Sequence, residues 1–256
     1  AKYGVYSDPD CRTQVAILTT KEDGTTDAEE LTSGKYYIKE LSAPEGYALD
    51  SKKYTADVTA GSTEVVNVKD YPQSAAVRFL LEKEDARTGE KEAQGNAVFA
   101  DAEFTVRYYK GLYDTDPAKQ GITPARTWVM KTNESGKAAL TDSFKISGDS
   151  FYKNSDGENV LPLGTVTIQE TKAPKGYLLN REVFIRKITS EGTAENVSTY
   201  NAPVISENII SGELHIIKFG QDADDSCEQK TPLEGVAFEI TSKTTGETFA
   251  ITTDKN

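Results

Sequence analysis

An amine, an acid and a carboxamide each fall in phase with apolar neighbours in the middle of this sequence. Lys83 follows Val77, Phe79 and Leu81 at every second position; Glu170 follows Val166 and Ile168; Asn201 follows Val197 and Thr199. Side chains two apart on a strand share a face, so this period points all three toward a core. Burial disfavours the charged form of an amine and of a carboxyl alike. A neutral amine is a nucleophile, and a protonated carboxyl can donate a hydrogen bond to an amide carbonyl. Held together, the Lys83 amine could attack the Asn201 side-chain carbon while Glu170 polarises the oxygen and carries protons. Ammonia would leave and an isopeptide bond would remain, a single turnover of the chain on itself. The same residues also allow a buried, hydrogen-bonded Lys–Glu pair with an asparagine nearby. The residues alone leave both readings open.

The element that positions Glu170 occurs twice. GKYYIKELSAPEGYALD, residues 34–50, returns as GTVTIQETKAPKGYLLN, residues 164–180. Gly34/Gly164, Glu40/Glu170, Ala43/Ala173, Pro44/Pro174, Gly46/Gly176, Tyr47/Tyr177 and Leu49/Leu179 match at a constant offset. Glu40 ends the alternating run Tyr36, Ile38, Glu40 as Glu170 ends its own. Both carboxyls are therefore expected inside, where carboxyls are rare without partners.

Around this repeat the chain reads as short strands and turns in three units. Residues 1–72 carry strands at AKYGVYSD and QVAILTT, the repeated segment, a strand near 54–58 and a last strand over 63–69, with Val66, Val68 and Asp70 in phase. Residues 73–210 open with AVRFLLEKED, continue with ADAEFTVRYY, and after the repeated segment carry REVFIRKI and ENVSTYN. Asn201 here takes the place of Asp70, with a proline two residues later in both units. An irregular region at 110–163 holds Tyr113, Trp128, Phe144, Phe151 and Tyr152; a loop that long is functional or has structure of its own. Residues 211–256 begin a third unit, where GELHIIKFG sets Leu214, Ile216 and Lys218 in phase. Against unit two, unit one lacks its opening lysine strand and unit three is about a third complete, so the chain reads as a fragment. Short linkers are expected at 71–74 and 203–211.

ETKAPKGY and ELSAPEGY, with the KEDARTGE start and the YNAP end, resemble the E-box domains of Gram-positive surface proteins and pilins. These are the collagen-binding-protein B-type, or SpaA-like prealbumin-like, domains. The resemblance covers essentially the whole chain and implies an all-β fold of tandem prealbumin-like (Ig-like) β-sandwiches with Greek-key-type connections. It implies a spontaneous Lys–Asn or Lys–Asp bond in each complete unit, helped by the E-box glutamate. In unit two this is Lys83–Asn201 with Glu170. In unit one Glu40 and Asp70 match, with the lysine upstream; in unit three Lys218 matches, with its partners downstream. The implied setting is extracellular and cell-wall attached on a Gram-positive bacterium, as a stalk or shaft module of an adhesin or pilin. The alternative is a ligand-binding adhesin module that uses 110–163 to contact a host matrix protein or glycan.

Composition narrows the classes further. A formal net charge of −12 over 256 residues disfavours a nucleic-acid partner, which needs clustered Lys and Arg. No apolar run has the length of a membrane span. No Ser–His pairing, metal spacing or glycine-rich phosphate loop suggests a turnover enzyme, and no metal or cofactor is expected. Partners are expected among neighbouring domains of the same chain. Asp222, Asp224 and Asp225 do not have the spacing of a calcium loop and read as a solvated turn. His215 is out of phase with the core face and reads as a surface residue. Cys11 and Cys227 are too far apart in sequence to imply a disulfide framework or a metal knuckle. NES at 133 and NVS at 196 match glycosylation sequons, which the resemblance to bacterial surface domains makes uninformative.

Overall fold

The structure, a computed structural model, describes residues 1–220, 232–243 and 246–254. Cys227 and the Asp222, Asp224, Asp225 group lie outside the described residues. Apart from a short 3-10 turn at Pro117–Gln120, the regular structure among the described residues is all β.

Unit one contributes β1 (Lys2–Tyr6), β2 (Gln14–Thr19), β3 (Gly34–Ser42) and β4 (Lys53–Val58), an antiparallel sheet in the order β2-β1-β3-β4. One face buries Tyr3, Val5, Tyr36, Ile38 and Ala56, as the two-residue alternation requires. The strand expected over 63–69 is absent. Val66 and Val68 pack against the cluster while Val65 stands exposed, so the segment covers the sheet without pairing. The physical reason appears in unit two, where the trailing strand pairs only with the leading strand. Among the described residues unit one has no leading strand, and backbone groups without a ladder form no strand.

Unit two contributes β5 (Ser74–Ala76), β6 (Leu81–Asp85), β7 (Glu103–Tyr109), β8 (Arg126–Lys131), β9 (Lys137–Ala138) and β10 (Lys145–Gly148). It continues with β11 (Tyr152–Lys153), β12 (Asn159–Pro162), β13 (Gly164–Lys172), β14 (Val183–Ile188), β15 (Asn196–Val197) and β16 (Val204–Glu207). A five-stranded sheet, β10-β8-β7-β13-β14, forms one layer, and the groups β11-β12-β5-β15 and β16-β6-β9 form the other. One core cluster joins them, with Phe104, Trp128 and Val166 from the first layer and Leu81, Leu161 and Ile205 from the second.

The region 110–163 is therefore not an irregular loop. It supplies β8 and β10 to one layer and β9, β11 and β12 to the other. Its aromatics build the core. Trp128 and Phe151 are buried with ring centroids 5.7 Å apart, Phe144 and Tyr152 pack against the same cluster, and the Arg126 guanidinium sits 3.6 Å from the Tyr152 ring centroid. The leading stretch also departs from simple alternation. Phe79 is partly exposed while Leu80 and Leu81 are both buried, so the frame set by Val77 and Phe79 breaks before β6. Leu81 and Lys83 keep the inward phase.

The repeated APxGY turn makes the same joint in both units. In unit one the Ala48 amide donates to the Tyr71 carbonyl at 2.9 Å, the Gln73 amide donates to the Gly46 carbonyl at 2.8 Å, and Tyr47 bridges Pro72. In unit two Leu178 donates to Asn208 at 2.8 Å, Ile210 donates to Gly176 at 2.8 Å, and Tyr177 bridges Ile209. Gly46 and Gly176 have φ of 81° and 90°, the left-handed region that glycine enters without strain. At Gly176 a Cβ would also stand 2.6 Å from that of Ala97.

The expected linker at 71–74 is a packed joint. Gln73 is buried, and its Nε2 donates to the carbonyls of Glu191 at 3.0 Å, Gly192 at 3.2 Å and Ala194 at 2.9 Å. Nearby, the Leu49 amide of unit one donates to the Thr193 carbonyl of unit two at 3.1 Å. In unit three, β17 (Ala237–Thr241) and β18 (Thr248–Thr252) form an antiparallel hairpin, and Phe219 bridges Pro232.

Candidate functional site

The leading strand β6 and the trailing strand β16 lie side by side and parallel, with Val204 opposite Glu82, Ile205 opposite Lys83, Ser206 opposite Glu84 and Glu207 opposite Asp85. Lys83, Ile205 and Glu207 all point into the sandwich and have no solvent exposure. Across the core, β13 carries Glu170 two residues before its end at Lys172, and Glu170 is 3 % exposed. The Lys83 Nζ donates to Glu170 Oε1 at 2.7 Å and to Glu207 Oε1. It also sits 4.8 Å from the Phe104 ring centroid. Glu170 Oε2 accepts the Asn180 amide at 2.8 Å, and the Asn180 side chain donates to the Ser206 carbonyl at 3.2 Å, which ties the APxGY turn to β16. Glu207 Oε2 is buried with no hydrogen-bond partner. Burial raises the Glu207 pKa to about 7; Lys83 opposes that shift and the Glu170 charge adds to it. The backbone at Gly136 packs against the root of the Lys83 side chain. Lys83 donates its amide to the Gly136 carbonyl at 2.9 Å, and a Cβ at Gly136 would come within 3.0 Å of the Lys83 Cβ.

Asn201 does not belong to this cluster. It is exposed, and its backbone carbonyl accepts from Arg186 Nε at 2.7 Å. The inward phase of Val197 ends with the two-residue β15, which pairs with β5 rather than β6. The chain then turns through Pro203, and β16 starts a new phase at Val204. Two signals in the sequence point to Glu207: Ile205 and Glu207 alternate within VISE, and this run lies immediately before the next unit. The proline two residues after Asp70 and after Asn201 is a false match between the units. The repeated turn gives the structural match. Tyr71 and Asn208 hold equivalent places, so Asp70 is the counterpart of Glu207.

In unit one Glu40 is 1 % exposed, and its Oε2 accepts the Asp50 amide at 2.6 Å, as Glu170 does from Asn180. The other oxygen, Oε1, has no partner. Burial raises the Glu40 pKa; the Asp50 amide opposes this, and the nearby Asp70 and Asp50 charges reinforce it. Asp70 is half-buried and accepts from the Tyr3 hydroxyl at 3.5 Å. Lys218 of unit three is exposed, its carbonyl accepting the Leu233 amide at 2.8 Å. His215 is exposed, 3.8 Å from the Glu213 carboxylate. Cys11 is a partly exposed free thiol with a φ of 54°.

A family model described as the SpaA prealbumin-like fold domain matches residues 1–72 and 84–203. Lys83 and Glu207 both fall just outside the matched ranges. Among curated proteins, the trypsin-resistant surface T6 protein of Streptococcus pyogenes serotype M6 is 29% identical over 168 residues, 64% of this chain and 26% of that protein. The chain thus spans about a quarter of the length of that relative. Among solved structures, the Bacillus anthracis TIE protein superposes over 98% of this chain and 40% of that one, with a TM-score of 0.53 and 22% identity. The C-terminal fragment of the pilus adhesin SpaC from Lactobacillus rhamnosus GG covers 85% of this chain and 90% of that one, with a TM-score of 0.37 and 17% identity.

Proposed function

We propose that this chain, which belongs to the SpaA-type prealbumin-like fold domain family, is a load-bearing stalk or shaft module of a Gram-positive cell-surface adhesin or pilin. The observation that carries the reading is the parallel pairing of β6 with β16. Tension along the chain pulls β6 from its N-terminal end and β16 from its C-terminal end. In a parallel pair those ends are opposite, so the ladder is sheared and its hydrogen bonds are loaded together. Pulled from the same end, the bonds would open one at a time. Lys83 adds a side-chain fastening to the ladder, drawing Glu207 of β16 to β6 and Glu170 of the opposite layer to both. The Gln73 joint passes the load between units one and two without a slack linker. Attachment to a cell wall and assembly with further modules belong to this proposal.

Pulling the chain by its two ends in a single-molecule force experiment tests it. Unit two should yield after the β17–β18 hairpin region, at clearly higher force. Yielding of unit two first would end the stalk reading. The reading in which 110–163 contacts a matrix protein or glycan finds no support in the fold, because Trp128 and Phe151 sit in the core.

A further inference from the structure

Residues 110–125 join β7 to β8 without entering a sheet; their regular structure is the 3-10 turn at Pro117–Gln120. Tyr108 is the last residue of β7 that faces the core, so Tyr109 points to the outer face of its layer. Thr165 and Thr167 of β13 point the same way, because Val166 and Ile168 face the core. An outer face meets water, yet these three residues are at most 1 % exposed. The chain at 110–125 covers them. We propose that this segment is a strap that opens locally and uncovers the outer face of β7 and β13 while the sandwich stays closed. The proposal is independent of the stalk reading, because β6 and β16 lie in the other layer.

Three observations carry it. The closed strap traps polar groups that it does not satisfy. Tyr109 Oη and Thr167 Oγ1 are buried with no hydrogen-bond partner among the described residues. The two side chains are neighbours, but even a bond between them would leave one hydroxyl proton without an acceptor. Opening wets both hydroxyls, which offsets part of its cost.

The strap is also held by few contacts. Thr165 Oγ1 accepts the Tyr113 amide at 2.9 Å and donates to the Gly111 carbonyl at 2.8 Å. The Tyr113 ring meets the Tyr109 ring edge-on, with centroids 6.2 Å apart. Pro117 is buried, but Leu112 is 56 % exposed. The ion pair of Lys187 with Asp114 is exposed and holds weakly.

Last, the sheet does not depend on the strap. β7 pairs with β8 and β13, β13 pairs with β14, and Phe104, Val106, Val166 and Ile168 pack on the far face. Segments with few buried apolar contacts are the ones that open below the threshold of global unfolding.

Thiol labelling of the full chain tests the proposal. Thr167→Cys, in a Cys11→Ser, Cys227→Ser background, puts a thiol beneath the strap. It should react with a small thiol reagent at a rate that stays flat through low denaturant, the mark of local opening. A control thiol from Val166→Cys, one residue away on the core face, should react only as unit two unfolds, at a rate that climbs steeply with denaturant. One rate and one denaturant slope for both thiols would overturn the proposal. So would a Thr167→Cys thiol that stays unreactive until the unit unfolds.

Hydrogen exchange supplies a second arm without a new thiol. Tyr109→Phe combined with Thr167→Val removes both trapped hydroxyls and should hold the strap closed. Exchange at the Tyr113 amide should slow about tenfold or more, the effect of a single buried unpaired group. Exchange at the Ile168 amide, protected as in wild type, reports that the sheet is intact. Unchanged or faster exchange at Tyr113 in the folded double variant would overturn the proposal.

Discussion

Asp70 and Glu207 hold one station in successive units: each immediately precedes the residue whose carbonyl accepts the turn amide, Tyr71 from Ala48 and Asn208 from Leu178. At that station unit two presents a carboxyl to Lys83, and removing it leaves a buried cation with one partner fewer. Glu207→Ala should therefore destabilise unit two by at least about 3 kcal/mol, the usual cost of breaking a buried pair. Thermal unfolding checks this; a melting point unchanged from wild type would contradict it.

Replacing all three charges is a different experiment. The triple variant Lys83→Met, Glu170→Leu, Glu207→Leu leaves no orphaned charge, and exchanges of that kind are often neutral or stabilising against an unreacted ion cluster. Against a unit closed by the amide that the family resemblance implies, it should instead lose the crosslink contribution, roughly 4–5 kcal/mol in the chain-entropy account for a long loop. Denaturant titration of the folded variant beside wild type separates the two cases. A variant as stable as wild type would argue that no covalent closure exists.

One side chain makes several of the hydrogen bonds in the joint between units one and two. Gln73→Ala removes donors from the carbonyls of the exposed residues Glu191, Gly192 and Ala194, and each net hydrogen bond lost costs about 0.5–1.5 kcal/mol. Small-angle scattering and backbone relaxation should show the two units reorienting independently in the variant and together in wild type. Identical tumbling would mean that the other joint contacts suffice.

Unit one should carry a pH signature through Glu40. Its pKa is raised by burial, opposed by the Asp50 amide and reinforced by the Asp70 and Asp50 charges, with Tyr3 and Tyr54 also facing this acidic group. A carboxyl whose folded pKa is raised binds its proton more tightly in the folded state. Its contribution is present below the ordinary carboxyl range and is lost as pH rises through the raised value. Hydrogen exchange at β1–β4 amides should accelerate as pH rises through that window, beyond the intrinsic chemical rate, and Glu40→Gln should flatten the excess. An excess equally steep in the variant would exclude Glu40 as its source.

The region 110–163 should behave as core. Trp128→Ala should cost unit two about 3–5 kcal/mol while β1–β4 exchange stays unchanged. Little effect on unit two would reopen the case for a surface role.

Much of this arrangement was legible in the amino-acid string. Alternation placed Glu40 and Glu170 at the inner ends of their strands and Lys83 on the inner face of its own, because a period of two is a local property of a strand. The repeated APxGY stretch located the turn that closes each unit. Glu207 was not found because the decisive fact is non-local: which of two short runs, ENV or VISE, pairs with β6. A two-residue strand followed by a turn through Pro203 resets the phase, and counting forward from Val197 cannot register the reset. The aromatics of 110–163 read from sequence as a separate irregular region for a related reason. Their strands join sheets built by residues far along the chain, and five short strands separated by polar turns do not show their partners.

The central claim is that Lys83 fastens the trailing strand to the leading one. Its most direct test is the force at which unit two yields when the chain is pulled by its ends, wild type beside Lys83→Met, each first shown to be folded. A marked drop in yield force for the variant, with the β17–β18 hairpin response unchanged, is the predicted result. Equal yield forces would show that the strand ladder alone bears the load and would contradict the account.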